Sequence, residues 1–260
     1  MKETATHEQI LNFAVHTGEL MLKSGAETYR VEDTIARILE KHHFCSVDTF
    51  VIPTGIMVTI EGETFSLSTK VVRVKNRGTR LDRIELINQL SRDYVSGEVS
   101  LTEAEMRLKA ISESEGYKNR TVIIWVGISC AFFSIMFKAN ALDFFITFFV
   151  GLGVGYLQNR LTRKHIVTFF VLFICSLFIG FSVMFCYYVF KDSIKIEPII
   201  IGCIMPLLPG VAFTTAVRDA IGDELISGIA RGVEALLVAV ALAAGIGVSL
   251  SASFWLGGLL

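Results

Sequence analysis

The sequence predicts an α-helical integral membrane protein with about five transmembrane helices and an N-terminal cytosolic α+β domain. Hydrophobic residues make up 52% of the 260-residue chain, and the mean hydropathy of +0.57 is high for a soluble protein. Charge is divided unevenly: residues 1–120 carry 16 Lys and Arg with 18 Asp and Glu, whereas residues 121–260 carry 8 and 7. A polar domain therefore precedes a membrane-embedded half.

Residues 1–117 are predicted to form the α+β domain, because the hydrophobic period changes twice along them. Apolar residues recur at helical spacing, then follow a strand pattern, and then return to helical spacing. The turn Pro53-Thr54-Gly55 separates the first two strands. The predicted order is two helices at 8–24 and 26–42, three strands at 47–52, 56–61 and 65–74, and two further helices that begin at Leu81 and after Ser100.

Residues 118–260 are predicted to form the transmembrane domain. The apolar segments that could span a membrane lie at about 121–137, 142–158, 166–190, 197–217 and 229–256. A spanning helix needs about 20 apolar residues, so the first two are short, and they could instead form a tight helical hairpin around residues 138–142. Lys and Arg near the span ends number seven on the side of the N-terminal domain and three on the other. This bias predicts that the N-terminal domain lies in the cytosol.

The fourth predicted span contains residues that break a helix. Pro206 and Pro209 lack the backbone N–H and so free carbonyls of the preceding turn, and Gly210 permits a bend. Thr214 and Thr215 follow one turn later. Freed carbonyls, hydroxyls and a helix start can together hold a small polar solute. The alternative is a structural kink that neighbouring helices satisfy.

Charged residues follow this break. Arg218 or Arg231 would attract a substrate carboxylate, and Asp219 or Glu234 would carry a proton. Two other interpretations remain open. The charges at 218–224 could form a solvated cytosolic loop, and Arg231 could lie at the membrane interface with its side chain extended toward water.

Glycines at a spacing typical of close helix packing occur in two predicted spans. Gly151 and Gly155 are four residues apart in the second span, as are Gly228 and Gly232 at the start of the fifth. The spacing predicts that helices approach closely at these points. It implies nothing about a substrate.

Several function classes lack support in the sequence. Neither half has a large net charge, so nucleic acid is not an expected partner. The cysteines form no CxxC pair and no metal-binding spacing, so no metal or cofactor is expected. The N-terminal domain contains no HExxH, phosphate loop, GxGxxG or nucleophile elbow, and no catalytic residue is predicted. A membrane-anchored regulatory or hydrolytic protein and a pure assembly partner remain the rival interpretations to a transporter.

Several stretches of the sequence resemble the threonine/serine exporter family. In the N-terminal half they are SGAETYRVEDTI at 24–35, PTG at 53–55, RVK at 73–75, LDR at 81–83 and NQLSR at 88–92. In the membrane half they are Pro209-Gly210, Arg218-Asp219, Ser227-Gly228 and Ala230-Arg231. The motif residues that the resemblance marks in the N-terminal domain are Gly25, Glu27, Thr28, Arg30, Glu32, Pro53, Thr54 and Gly55.

The resemblance implies a multi-pass protein of the cell membrane that exports small polar metabolites by using the proton gradient. Full-length members of the family carry a second, smaller block of spans, which this sequence lacks. We therefore expect the two-component form, with a small multi-pass membrane protein as its partner in an oligomer. Some members of that form resemble exporters of succinate and other C4-dicarboxylates, so a dicarboxylate is the alternative substrate.

Overall fold

The structure is a computed structural model that describes residues 6–75, 77–114 and 116–257. The chain divides into two compact units. The first consists of Met1–Glu115 together with Thr214–Gly232, and the second consists of Gly116–Phe213 together with Val233–Leu260. We call residues 214–232 the return segment, because this part of the C-terminal half belongs to the same compact unit as the N-terminal domain.

The N-terminal domain has two helices, a three-stranded sheet and two more helices. Its elements are α1 (His7–Lys23), α2 (Thr28–Glu40), β1 (Ser46–Ile52), β2 (Gly55–Gly62), β3 (Phe65–Arg73), α3 (Leu81–Ser96) and α4 (Leu101–Glu113). The strands form an antiparallel sheet in the order β1-β2-β3. This order of elements was predicted from the sequence, and the element ends lie close to the predicted ones.

Local chemistry explains where these elements begin and which faces they bury. The Thr6 side chain accepts a hydrogen bond from the Gln9 backbone N–H, and the Gln9 side chain accepts one from the Thr6 backbone N–H, so a capping box starts α1. Strand β2 alternates, with Ile56, Val58 and Ile60 all fully buried. These residues face a single apolar core that also takes in residues of α1, α2, α3 and α4.

The C-terminal half is helical throughout its described residues, apart from short connections. Its helices are α5 (Asn119–Met136), α6 (Ala141–Arg163), α7 (Thr168–Phe190), α8 (Ile196–Ile204), α9 (Gly210–Ile221) and α10 (Leu225–Gly257). Among the described residues four helices are long and apolar enough to cross a membrane, and a fifth span results if the bent pair of α8 and α9 crosses as one. The predicted fold class is therefore confirmed.

Helices α5 and α6 pack closely, as the glycine spacing predicts. A Cβ atom added at Gly151 would lie 2.8 Å from the Cβ of Cys130 and 3.0 Å from the Cα of Gly127. A Cβ added at Gly155 would lie 3.3 Å from the Cα of Ile123. Larger residues at these positions would push the two helices apart. Each of the two helices also meets the length and hydropathy needed for a span.

Candidate functional site

The predicted helix break is present between α8 and α9. After α8 ends, Met205–Leu207 form one 3₁₀ turn and Leu208 is extended, with φ −64° and ψ 139°. Leu208 precedes Pro209, and the proline ring disfavours the helical conformation in the residue before it. The two helical pieces, Ile196–Leu207 and Gly210–Ile221, meet at 55°.

Proline, rather than glycine, accounts for this bend. In a continuous helix the N–H groups of residues 206 and 209 would bond to the carbonyls of Gly202 and Met205, and neither proline has one. The Met205 carbonyl instead accepts from the Leu208 N–H at 3.3 Å. A Cβ added at Gly210 meets nothing within 4 Å, so this position does not need glycine for space.

The return segment joins the N-terminal domain through Arg218 and Glu27. Arg218 Nη1 lies 2.7 Å from Glu27 Oε1, and Arg30 Nη1 lies 3.2 Å from the other carboxylate oxygen, Oε2. Burial acts to raise the pKa of Glu27, but a hydrogen bond from its own backbone N–H and the charges of Arg30 and Arg218 hold that pKa below its ordinary value. Glu27 is therefore an ionised bridge between two arginines.

A second ion pair in the same unit is buried. Arg231 Nε lies 3.0 Å from Asp219 Oδ2, although the two atoms are not aligned for a hydrogen bond. Asp219 is fully buried and Arg231 is 8% exposed. Arg231 Nη2 also donates to the Ala26 carbonyl at 2.8 Å. Arg231 thus connects α9 and α10 to the turn between α1 and α2.

These contacts correct two of the alternatives for the charged residues. The interpretation of residues 218–224 as a solvated loop is wrong for Asp219, because α9 continues to Ile221 and the carboxylate is buried. The interpretation of Arg231 as a side chain extended toward water is also wrong, because its guanidinium contacts Asp219 and Ala26.

The start of α10 packs against α9 through one of the two predicted glycines. A Cβ at Gly228 would lie 2.9 Å from the Ala216 carbonyl oxygen and 2.9 Å from the Ala220 Cβ. A Cβ at Gly232 would meet nothing within 4 Å. The close approach therefore depends on Gly228 and not on Gly232.

The motif residues of the N-terminal domain shape the turn against which the return segment lies. Gly25 has φ +91°, and a Cβ there would lie 2.8 Å from the Gly78 carbonyl oxygen, so only glycine fits. Thr28 is buried at the start of α2. Glu32 Oε1 accepts from the Val51 N–H at 2.7 Å, which ties α2 to β1. Burial raises the pKa of Glu32, with Glu224 adding to the effect against that hydrogen bond.

The remaining motif residues of the N-terminal domain lie in the turn between its first two strands. Pro53 and Thr54 form the β1–β2 turn with Gly55 at the start of β2, and the Thr54 carbonyl accepts from the Val74 N–H at 2.9 Å. Thr215 lies on α9 and is 8% exposed. Sequence reasoning missed the role of Ala26, whose contribution is a backbone carbonyl and leaves no signal in the side chains.

The fold and this cluster define a multi-helix membrane protein with a broken helix and a buried group of charges, features typical of transporters. Residues 12–253 match the model of the ThrE family, described as "Putative threonine/serine exporter". The chain belongs to this family. No curated protein and no solved structure matches it.

Proposed function

We propose that the chain is a subunit of a secondary exporter in the cell membrane that moves small polar metabolites of the threonine/serine type out of the cell. A separate small multi-pass membrane protein completes the transporter, and proton movement drives it. Family membership supports the exporter class. The observation that carries the proposal is the break between α8 and α9.

The broken helix supplies polar groups where an unbroken helix would hide them. Pro206 removes the donor that would occupy the Gly202 carbonyl, and Thr214 and Thr215 add hydroxyls on the first turns of α9. Carbonyls and hydroxyls together suit the amino and hydroxyl groups of a hydroxy-amino acid.

The two arginines have different roles in this proposal. The Arg218 side chain is 63% exposed and can exchange Glu27 for a substrate carboxylate. Arg231 is buried against Asp219, so this pair holds the start of α10 against α9. Proton uptake by Asp219 would weaken that ion pair, which makes Asp219 one candidate proton carrier and Glu234 on α10 the other. The N-terminal domain lies in the cytosol and carries no catalytic role.

Efflux from cells loaded with labelled threonine tests the proposal, with labelled succinate as a second arm for the dicarboxylate alternative. Cells that express the chain together with its partner should export one of the two solutes, and deletion of either gene should abolish the export. Pro209→Ala closes the break and should reduce efflux about tenfold or more, whereas Glu234→Gln should reduce its dependence on the proton gradient.

Leu208→Ala provides the matched control, because it changes a neighbouring side chain and keeps both prolines. Unchanged efflux of both solutes in Pro209→Ala and Glu234→Gln would overturn the proposal. That result would favour a membrane-anchored protein whose N-terminal domain does the work.

A further inference from the structure

The N-terminal domain contains a cavity of about 400 Å³ between α2 and α3. Its lining residues share one face of each helix: Arg30, Asp33, Thr34 and Arg37 on α2, and Asn88, Ser91, Arg92, Val95 and Ser96 on α3. On both helices the spacing is three or four residues, which places these side chains on a single stripe. Eight of the nine are polar or charged, and more than half of the nine are exposed, so the cavity is polar and open to solvent.

The charges around the cavity are unbalanced, with three arginines against one aspartate. Arg37 is paired with Asp33 through two contacts of 2.8 and 2.9 Å. Arg92 Nη2 donates to the neutral amide oxygen of Gln89 at 2.9 Å. Over the described residues 6–75, 77–114 and 116–257, no carboxylate forms an ion pair with Arg92. Arg30 is in turn paired with Glu27, so the net positive charge of the cavity is carried by Arg92.

We propose that this cavity binds a small anionic metabolite that carries carboxylate or phosphate groups. The planar guanidinium of Arg92 offers two parallel N–H donors, the geometry that both groups accept. Arg30 provides a second cation on the opposite helix, and the Asn88 amide provides a neutral donor. The volume lies within the range of small-molecule sites.

Two hydroxyls that line the cavity can also donate to a bound anion after rotation of their side chains. The hydroxyl of Thr34 donates to the Arg30 carbonyl at 2.8 Å, and that of Ser91 donates to the Asn88 carbonyl at 2.9 Å. These are bonds within a helix turn, so a bound oxyanion can draw either hydroxyl away at small cost.

Arg30 connects the cavity to the cluster described above. Its Nη1 lies 3.2 Å from Glu27 Oε2, and Glu27 Oε1 lies 2.7 Å from Arg218. An anion that binds Arg30 competes with Glu27 for the Arg30 guanidinium. When the anion is bound, Glu27 keeps its ion pair with Arg218 alone. Binding of a cytosolic metabolite at this site would thus change the strength of the Glu27–Arg218 ion pair that joins the return segment to the N-terminal domain. Binding itself does not depend on the exported substrate.

Isothermal titration of the purified full-length protein in detergent tests the site, with inorganic phosphate and succinate in separate arms at constant ionic strength. We expect saturable binding of one molecule per chain in at least one arm, and the preferred arm distinguishes a phosphate ligand from a carboxylate ligand. Arg92→Gln should weaken binding about tenfold or more, as expected for loss of a charge-assisted hydrogen bond. Arg92→Lys should weaken it less, because the charge remains and the fork is lost.

Two further variants separate the cavity from general surface charge. Ser91→Phe keeps every charge and fills the cavity, so it should also weaken binding. Arg107→Gln removes an arginine on α4 that does not line the cavity, and its affinity should stay within about twofold of the wild type. Each variant is first checked for an unchanged melting temperature. Absence of binding in both arms at millimolar concentration, or equal weakening by Arg107→Gln and Arg92→Gln, would overturn the assignment.

Discussion

The buried pair of Arg231 and Asp219 gives the sharpest prediction. Arg231→Met keeps an unbranched apolar stem and removes the guanidinium, so it leaves a fully buried carboxylate without this cation. Removing one partner of a buried ion pair costs about 3–5 kcal/mol. The Ala26 carbonyl also loses the donor at 2.8 Å. We therefore expect Arg231→Met to rank among the most destabilising single changes in this unit.

Thermal unfolding of the full-length protein in detergent measures this cost. For a domain of 150–250 residues, 1 kcal/mol corresponds to about 2–4 °C in Tm, so the expected shift is roughly 6–20 °C. Asp219→Asn in the Arg231→Met background removes the stranded charge and should recover at least half of the loss, which a double-mutant cycle detects as coupling. Arg107→Met is the control, because its contacts to Glu103 and Asp93 lie at the surface and should be worth at most about 1 kcal/mol. Asp219→Asn is also made alone. If its effect and that of Arg231→Met simply add in the double variant, or if Arg231→Met shifts Tm as little as Arg107→Met does, the two residues are not coupled as the geometry indicates.

Three further predictions concern ionisation and orientation. Burial acts to raise the pKa of Glu27, but Arg30 and Arg218 hold that pKa below its ordinary value. The ionised Glu27 therefore stabilises the fold fully above about pH 4.5, and this stabilisation is lost as the pH falls through the pKa of the folded state. Glu27→Gln should flatten the fall of Tm at acid pH. Burial, together with the nearby charges of Lys41 and His43, lowers the pKa of His42. The fold therefore holds this ring neutral, 2.7 Å from the Tyr94 hydroxyl, and should lose stability as the pH falls below about 6.5. A His42→Gln variant whose Tm still fell with the same slope would contradict this. Cys45 is the exposed cysteine of the N-terminal domain: a membrane-impermeant maleimide should label it only after cells are opened, and labelling in intact cells would place the domain outside.

Periodicity and composition carried most of the fold prediction. The change from helical to strand spacing and back identified every element of the N-terminal domain, since each element buries one face against a single core. The break near Pro209 was predictable for a similar reason. A proline acts on its own neighbours in the chain, and the extended conformation of Leu208 is a local effect.

Contacts between distant parts of the chain could not be predicted in this way. Glu27 and Arg218 are 191 positions apart, and no period or propensity relates them. Asp219 is buried in the unit that the return segment forms with the N-terminal domain, whereas its sequence context indicates an exposed charged stretch. The cavity was missed because Arg30 and Arg92 lie on separate helices, each of which has an ordinary polar face.

The membership of the return segment in the first unit has a consequence for biosynthesis. Roughly 100 residues separate Glu115 from Thr214, and at 5–20 residues per second their synthesis takes about 5–20 s. During this delay Glu27 has no Arg218 and the Ala26 carbonyl has no Arg231, so the newly made N-terminal domain remains incomplete while α5 to α8 enter the membrane. The last contacts of the first unit therefore form only after most of the second has been made, which couples completion of the domain to successful insertion of the helices between its two parts.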